Sequence, residues 1–190
     1  MYVWTAIDVD NQLKEVKELA QIVEKEIGFE KSAFSLPSHI SLKISFAIDG
    51  TAYASVIKTI TDYYQTLSPF CIDVDGIEVE NNIVWIRIKE SVILHQIHKD
   101  LDRILMEKHG IAPHPFDLDF KFHSTLFLDF NKEKIATAFE KIKGAKIPLT
   151  LRADTLIIGS SPSGEIGTYC VDYKIHLCKN SPCLQKNNGR

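Results

Sequence analysis

The chain has 190 residues, with 22 Lys and Arg against 25 Asp and Glu for a net charge of −3, and 45% hydrophobic residues. This composition excludes a disordered or collagen-like chain and, with only four cysteines, a disulfide-stapled mini-protein. Without a basic leader or a run near the ~18 apolar residues of a membrane helix, a single cytoplasmic domain is expected, and its slight acidity disfavours gripping long duplex nucleic acid.

Residues 2–8 read as a buried strand. Asp10 is placed to cap a helix whose apolar positions, Leu13, Val16, Leu19, Ala20, Val23 and Ile27, follow one helical face. After Pro37, residues 38–48 alternate: Ile40, Leu42, Ile44, Phe46 and Ile48 point one way, and His39, Ser41, Lys43, Ser45 and Ala47 the other. A helix bearing Tyr53, Val56, Ile57, Ile60, Tyr63, Tyr64 and Leu67 follows Asp49-Gly50. Strands 70–79 and 83–88 meet at Asn81-Asn82, a pair that tolerates positive φ. Ser91 caps a helix with Leu94, Ile97, Leu101, Ile104 and Leu105 that closes at Gly110, and Pro113-His114-Pro115 is a loop. Residues 119–129 form a strand, and Asn131 starts a helix that stops at Gly144. Two last strands, about 147–159 and 167–178, form a hairpin, and residues 179–190 are a polar tail.

The second half thus repeats the element order of the first. The hairpins and half-exposed alternation argue for an α+β protein with two pseudo-symmetric, largely antiparallel sheets, helices on their outer faces and a groove between. The expected unit is one bilobal domain over residues 1–178, with lobes of roughly 1–90 and 91–178.

The middle strand of each half carries a histidine, any residue, a hydroxyl residue and Leu: His39-Ile40-Ser41-Leu42 and His123-Ser124-Thr125-Leu126. Residues two apart in a strand share a face, roughly 6.6 Å apart. His39, Ser41 and Lys43 therefore share one face. Lys121, His123, Thr125 and Asp129 share another with Phe127, opposite Phe122, Leu126, Leu128 and Phe130. Ser124 falls on the core face and needs a hydrogen bond there. Two imidazoles facing across a groove suit a phosphodiester: the neutral one takes a proton from the attacking oxygen, and the protonated one gives a proton to the leaving oxygen. Ser41, Thr125, Lys43 and Lys121 are the candidates for holding the phosphate. Phe127, Trp85, Trp4 and Tyr169 are the candidates for stacking a base.

The paired motifs resemble those of the 2H phosphoesterase superfamily, in particular the 2′-5′ RNA ligases or RNA 2′,3′-cyclic phosphodiesterases. Trp4-Thr5-Ala6-Ile7-Asp8, Asn82-Ile83-Val84-Trp85-Ile86 and Gly167-Thr168-Tyr169 add to the likeness. The resemblance implies a bilobal fold and metal-independent cleavage or formation of 2′-linked and 2′,3′-cyclic phosphodiesters. It carries catalytic roles to His39 and His123 and phosphate binding to Ser41 and Thr125, with RNA ends or small nucleotides as partners and no cofactor. The chain departs from the pattern in having Ser41 where Thr is commoner and polar Ser124 inside the second motif. It also has Phe122 where Pro often precedes the second histidine, and Phe127 where a basic residue often follows. The competing reading is a non-catalytic module that binds a nucleotide or RNA end in the same groove.

Other clusters have plainer explanations. His95 and His98, three apart on a helix, read as a solvated face, and His109, His114 and His176 have no usable spacing. Asp73, Asp75, Glu78 and Glu80 read as a charged strand edge. Cys71, Cys170, Cys178 and Cys183 lack metal-site spacing and read as thiols.

Overall fold

The computed structural model describes residues 1–30 and 32–177. Its elements in chain order are β1 (Tyr2–Asp8), α1 (Lys14–Ile27), β2 (His39–Ala47), α2 (Tyr53–Tyr64), β3 (Phe70–Glu80), β4 (Ile83–Ile88), α3 (Val92–His109), β5 (His123–Leu128), α4 (Lys132–Ile142), β6 (Thr150–Ala153), β7 (Thr155–Ser161) and β8 (Cys170–His176). Among the described residues no helix is long and apolar enough to cross a membrane. The 179–190 tail, Cys178 and Cys183 lie outside the described residues.

Local sequence accounts for most element ends. Ser91 accepts from Leu94 N, and Asn131 accepts from Glu133 N and Lys134 N, satisfying orphan amides at the starts of α3 and α4. Gly110 closes α3 in the left-handed region, and Asn81 takes φ 54° in the β3–β4 turn. Asp10 does not cap α1, whose first residue follows Leu13. Its carboxylate is taken by Ser38 N at 2.7 Å and Lys17 Nζ at 2.6 Å instead.

The strands form two antiparallel four-stranded sheets, β2-β1-β7-β8 and β5-β4-β3-β6. The sheets therefore do not divide the chain near residue 90. Strands β4 and β3 pair with β5 and β6 respectively, while the C-terminal β7 returns to pair with β1 and β8 pairs with β7 at the edge. The stretch expected as one strand over 147–159 is split at Asp154, its first part joining β3 and its second part β1.

The edge strands β2 and β5 lie against each other. Helix α1, which links β1 to β2, packs on β5, and α3, which links β4 to β5, packs on β2. Each sheet thus borrows a helix that leads into the other's motif strand. One continuous apolar core, including Ile7, Leu42, Ile60, Val84, Leu101, Leu126 and Ile158, joins both sheets and all four helices. A smaller cluster of Trp4, Ala6 and Ile157, with Leu36, Tyr169 and Val171 against it, lies on the other face of the first sheet.

Candidate active site

Each motif strand carries a β-bulge at the Leu of its motif. In β2 the partners of Ala6 and Thr5 are Ser41 and Lys43, so Leu42 is the extra residue. In β5 the partners of Trp85 and Val84 are Thr125 and Phe127, so Leu126 is extra. An extra residue reverses the alternation beyond it. Histidine and hydroxyl therefore keep the groove face, while the residue after each Leu turns into the core. This corrects two expectations. Lys43 is 2% exposed, its ammonium bonded to Asp102 at 2.6 Å and Asp117 at 2.7 Å, and it is spent there although it borders the groove. Phe127 is fully buried and stacks on Phe29 at 5.4 Å instead of facing a base. Phe130, expected on the core face, lies beyond the end of β5 and is exposed.

The two histidines are held alike. His39 Nδ1 lies 2.8 Å from the Pro37 carbonyl, and His123 Nδ1 lies 2.7 Å from the Lys121 carbonyl. A carbonyl only accepts, so each ring carries its proton on Nδ1 and keeps Nε2 as the basic nitrogen. Each ring also packs on a tryptophan from the neighbouring strand: Trp4 beside His39 at 4.9 Å, Trp85 beside His123 at 4.2 Å. Both tryptophans are almost fully buried, so they back the imidazoles and offer little open surface to a base. Trp4 is anchored by donating to the Cys170 carbonyl at 3.1 Å and lies over Gly159, where any Cβ would collide with its indole. The backbone before His39 is clamped as well, because Ser38 donates its amide to Asp10 and accepts from Val9 N at 3.0 Å.

His39, Ser41 and His123 line one cavity of about 670 Å³ that is walled by residues of both sheets. Burial holds both imidazoles below their ordinary 6.5. The Pro37 carbonyl and the Asp8 carboxylate pull His39 part of the way back, and the Lys121 carbonyl and Glu80 do so for His123. Positive charge on His39 pushes His123 further down, a sign that the two rings share one electrostatic environment. The Ser41 and Thr125 hydroxyls have no hydrogen-bond partner among the described residues. Thr125, on the His123 face, opens onto an adjoining smaller cavity. Lys121 lies on the rim but is held by both oxygens of Glu80 at 2.9 Å. Tyr169 borders the cavity, its hydroxyl donating to Ser45 at 2.8 Å. Ser124 is buried and its hydroxyl finds no partner among the described residues.

Sequence reasoning missed the wall formed by a 3-10 turn at Pro115–Asp119. Phe116 and Leu118 line the cavity yet are 73% and 90% exposed. Two large apolar residues beside Pro115, in a segment with no strand or helix period, were the available signal. The turn is held by Asp117, which accepts from the His114 amide at 2.6 Å and pairs with Lys43. His98, expected on a solvated face, is buried here. Its Nδ1 lies 2.8 Å from the Leu42 carbonyl, and its ring stacks on Phe120 at 4.5 Å. His98, Asp102 and Asp117 are close enough to hold a metal ion, but the Lys43 ammonium already supplies the cation between the carboxylates. Of the acidic run, Glu80 reaches the groove rim, while Asp75 and Glu78 pair with Arg87. Cys170 is a free, exposed thiol, whereas Cys71 is disulfide-bonded, unlike the thiol expected.

Two backed imidazoles and two unengaged hydroxyls stand on the abutting edge strands of the two sheets. The family model of the 2′-5′ RNA ligase superfamily matches residues 8–164, and the chain belongs to that superfamily. A search of curated protein sequences finds no match. Among solved structures, the chain is similar to TT0787 of Thermus thermophilus, at 15% identity and TM-score 0.62 over 95% of this chain and 100% of that one. It is also similar to LigT of E. coli in complex with 3′-AMP, at 14% identity and TM-score 0.58 over 93% of this chain and 98% of that one. LigT in complex with NADP+ gives 12% identity and TM-score 0.58 over 93% and 97%. These likenesses establish the shared fold.

Proposed function

We propose that the protein is a metal-independent phosphodiesterase acting on 2′,3′-cyclic or 2′-5′ phosphodiester bonds of RNA ends or small nucleotides. The observation that carries this reading is the matched pair of Nδ1-to-carbonyl hydrogen bonds, which leaves both Nε2 atoms to work on one cavity. The neutral imidazole removes a proton from water as its oxygen attacks phosphorus. The other, protonated, delivers a proton to the leaving ribose oxygen as the P–O bond breaks. Ser41 and Thr125 donate to the non-bridging oxygens, where charge accumulates. The complexes of LigT with 3′-AMP and NADP+ support a nucleotide as the ligand class.

Incubating the purified protein with 2′,3′-cyclic and 2′-5′-linked nucleotides, and following products by chromatography, tests this reading. Multiple turnovers per protein molecule, undiminished by a chelator, are expected. Saturable binding with no product would identify a nucleotide-binding module that uses the same groove.

A further inference from the structure

Lys121 stands two residues before His123 and borders the same cavity, an ammonium group placed near a bound phosphate. It is not left to that use. Both carboxylate oxygens of Glu80, at the end of β3, accept from its Nζ at 2.9 Å. Glu80 foremost, then Asp119 and Glu78, hold this ammonium above its ordinary 10.5 and keep it charged and paired. Asp119 borders the cavity too, and Glu78 is itself paired with Arg87 at 3.2 Å. The second ammonium on the wall, Lys43, faces the carboxylates of Asp102 and Asp117. Among the described residues, Lys43 and Lys121 therefore stand against Glu80, Asp102, Asp117 and Asp119, and the wall is anionic. The net charge of −3 over the whole chain sets a background of the same sign.

One protonated imidazole answers the single charge of a phosphodiester. A second phosphate meets Glu80 and Asp119 instead. A cavity of about 670 Å³ is not much wider than the screening length, about 10 Å at 0.1 M salt, so such a phosphate feels these carboxylates wherever it lies. We propose that Glu80 is a specificity-determining residue that confines the site to substrates charged on the scissile phosphodiester alone. It does so by occupying Lys121 and keeping this wall anionic. A 2′,3′-cyclic nucleotide with a free 5′-hydroxyl fits that description, and one carrying a 5′-phosphate does not. The inference rests on the proposed phosphodiesterase reading and narrows its substrate.

The test compares a 2′,3′-cyclic nucleoside monophosphate with the same compound carrying a 5′-phosphate, on wild type, Glu80→Gln and Lys121→Gln. The two side chains are 42% and 54% exposed, so both variants are expected to fold. Glu80 also acts on His123, but that effect is common to the two substrates and cancels in the ratio of their kcat/KM values. At low salt wild type should favour the compound without the 5′-phosphate about fivefold, Glu80→Gln should bring the ratio close to one, and Lys121→Gln should raise it. High salt should compress the differences. A merely structural role of the pair would move both variants in the same direction. Parity in wild type, or an unchanged ratio in Glu80→Gln, would overturn the proposal. If wild type hydrolyses neither compound, the phosphodiesterase reading fails by itself. Calorimetric titration of a nucleoside 3′-monophosphate and the matching 3′,5′-bisphosphate then decides the role of Glu80. Tighter binding of the monophosphate that Glu80→Gln abolishes upholds it; equal binding, or none, overturns it.

Discussion

Lys43 and Phe127 occupy equivalent places in the two halves of the molecule. Each follows the Leu of a histidine–hydroxyl motif, and a β-bulge turns each into the core. The same bulge does the same work with opposite chemistry. Phe127 stacks on Phe29, while Lys43 joins two carboxylates that hold the groove wall at Pro115–Asp119. Burying an ion pair at this position makes the wall depend on a charge contact; the other half relies on apolar packing.

Replacing Lys43 by Met should therefore be costly. It leaves Asp102 and Asp117 together without a counter-charge, and removing one partner of a buried pair costs about 3–5 kcal/mol. Phe127→Ala should cost a similar amount through cavity formation, about 3–5 kcal/mol. Urea unfolding of both variants checks this; a Lys43→Met midpoint equal to wild type would show that the cluster contributes nothing.

Gly159→Ala probes the support of His39 from behind. The added Cβ meets the Trp4 indole and the Cys170 carbonyl, so Trp4 must move away from the imidazole it backs. Overpacking of this kind costs about 1–3 kcal/mol. Turnover should fall more than tenfold in protein that remains folded, because small displacements of a catalytic group are expensive. Thermal melting and steady-state kinetics on the same preparation separate the two effects.

The pH dependence follows from the lowered imidazoles. The proposed mechanism needs one ring protonated and one neutral, and burial holds both below the ordinary 6.5. The activity profile should therefore be a bell with its maximum on the acid side of 6.5. Repulsion between the two charges spreads the singly protonated state over a wider range. For stability, the folded state binds fewer protons than the unfolded chain around these pKa values. The contribution is therefore complete above 6.5 and is lost as pH falls through the imidazole range. Denaturation midpoints at pH 7.5 and 5.5 should differ in that direction, and less so in a variant lacking both histidines.

The sequence displayed the motif strands, the helix caps at Ser91 and Asn131, and the turn at Asn81, because each depends on residues close in the chain. It pointed to His39, Ser41 and His123, which the fold brings to one cavity, since period-two alternation holds as far as each motif Leu. It misplaced Lys43 and Phe127 because a bulge has no signature in alternation: Leu42 and Leu126 look like ordinary inward residues. The sheet partnership of β7 with β1 was hidden too, because residues 155–161 continue without a break signal from β6. Phe116 and Leu118 became part of the site only through Asp117 reaching Lys43, a contact between residues 74 positions apart.

The central claim is that His39 and His123 act as a pair on one phosphodiester. Steady-state hydrolysis of a 2′-5′-linked dinucleotide and a 2′,3′-cyclic nucleotide by wild type, His39→Ala and His123→Ala tests it most directly. Each variant should retain the wild-type circular dichroism spectrum and lose about 10²- to 10⁴-fold in kcat, the range for removing a general acid or base. Wild-type rates in either folded variant would contradict the account.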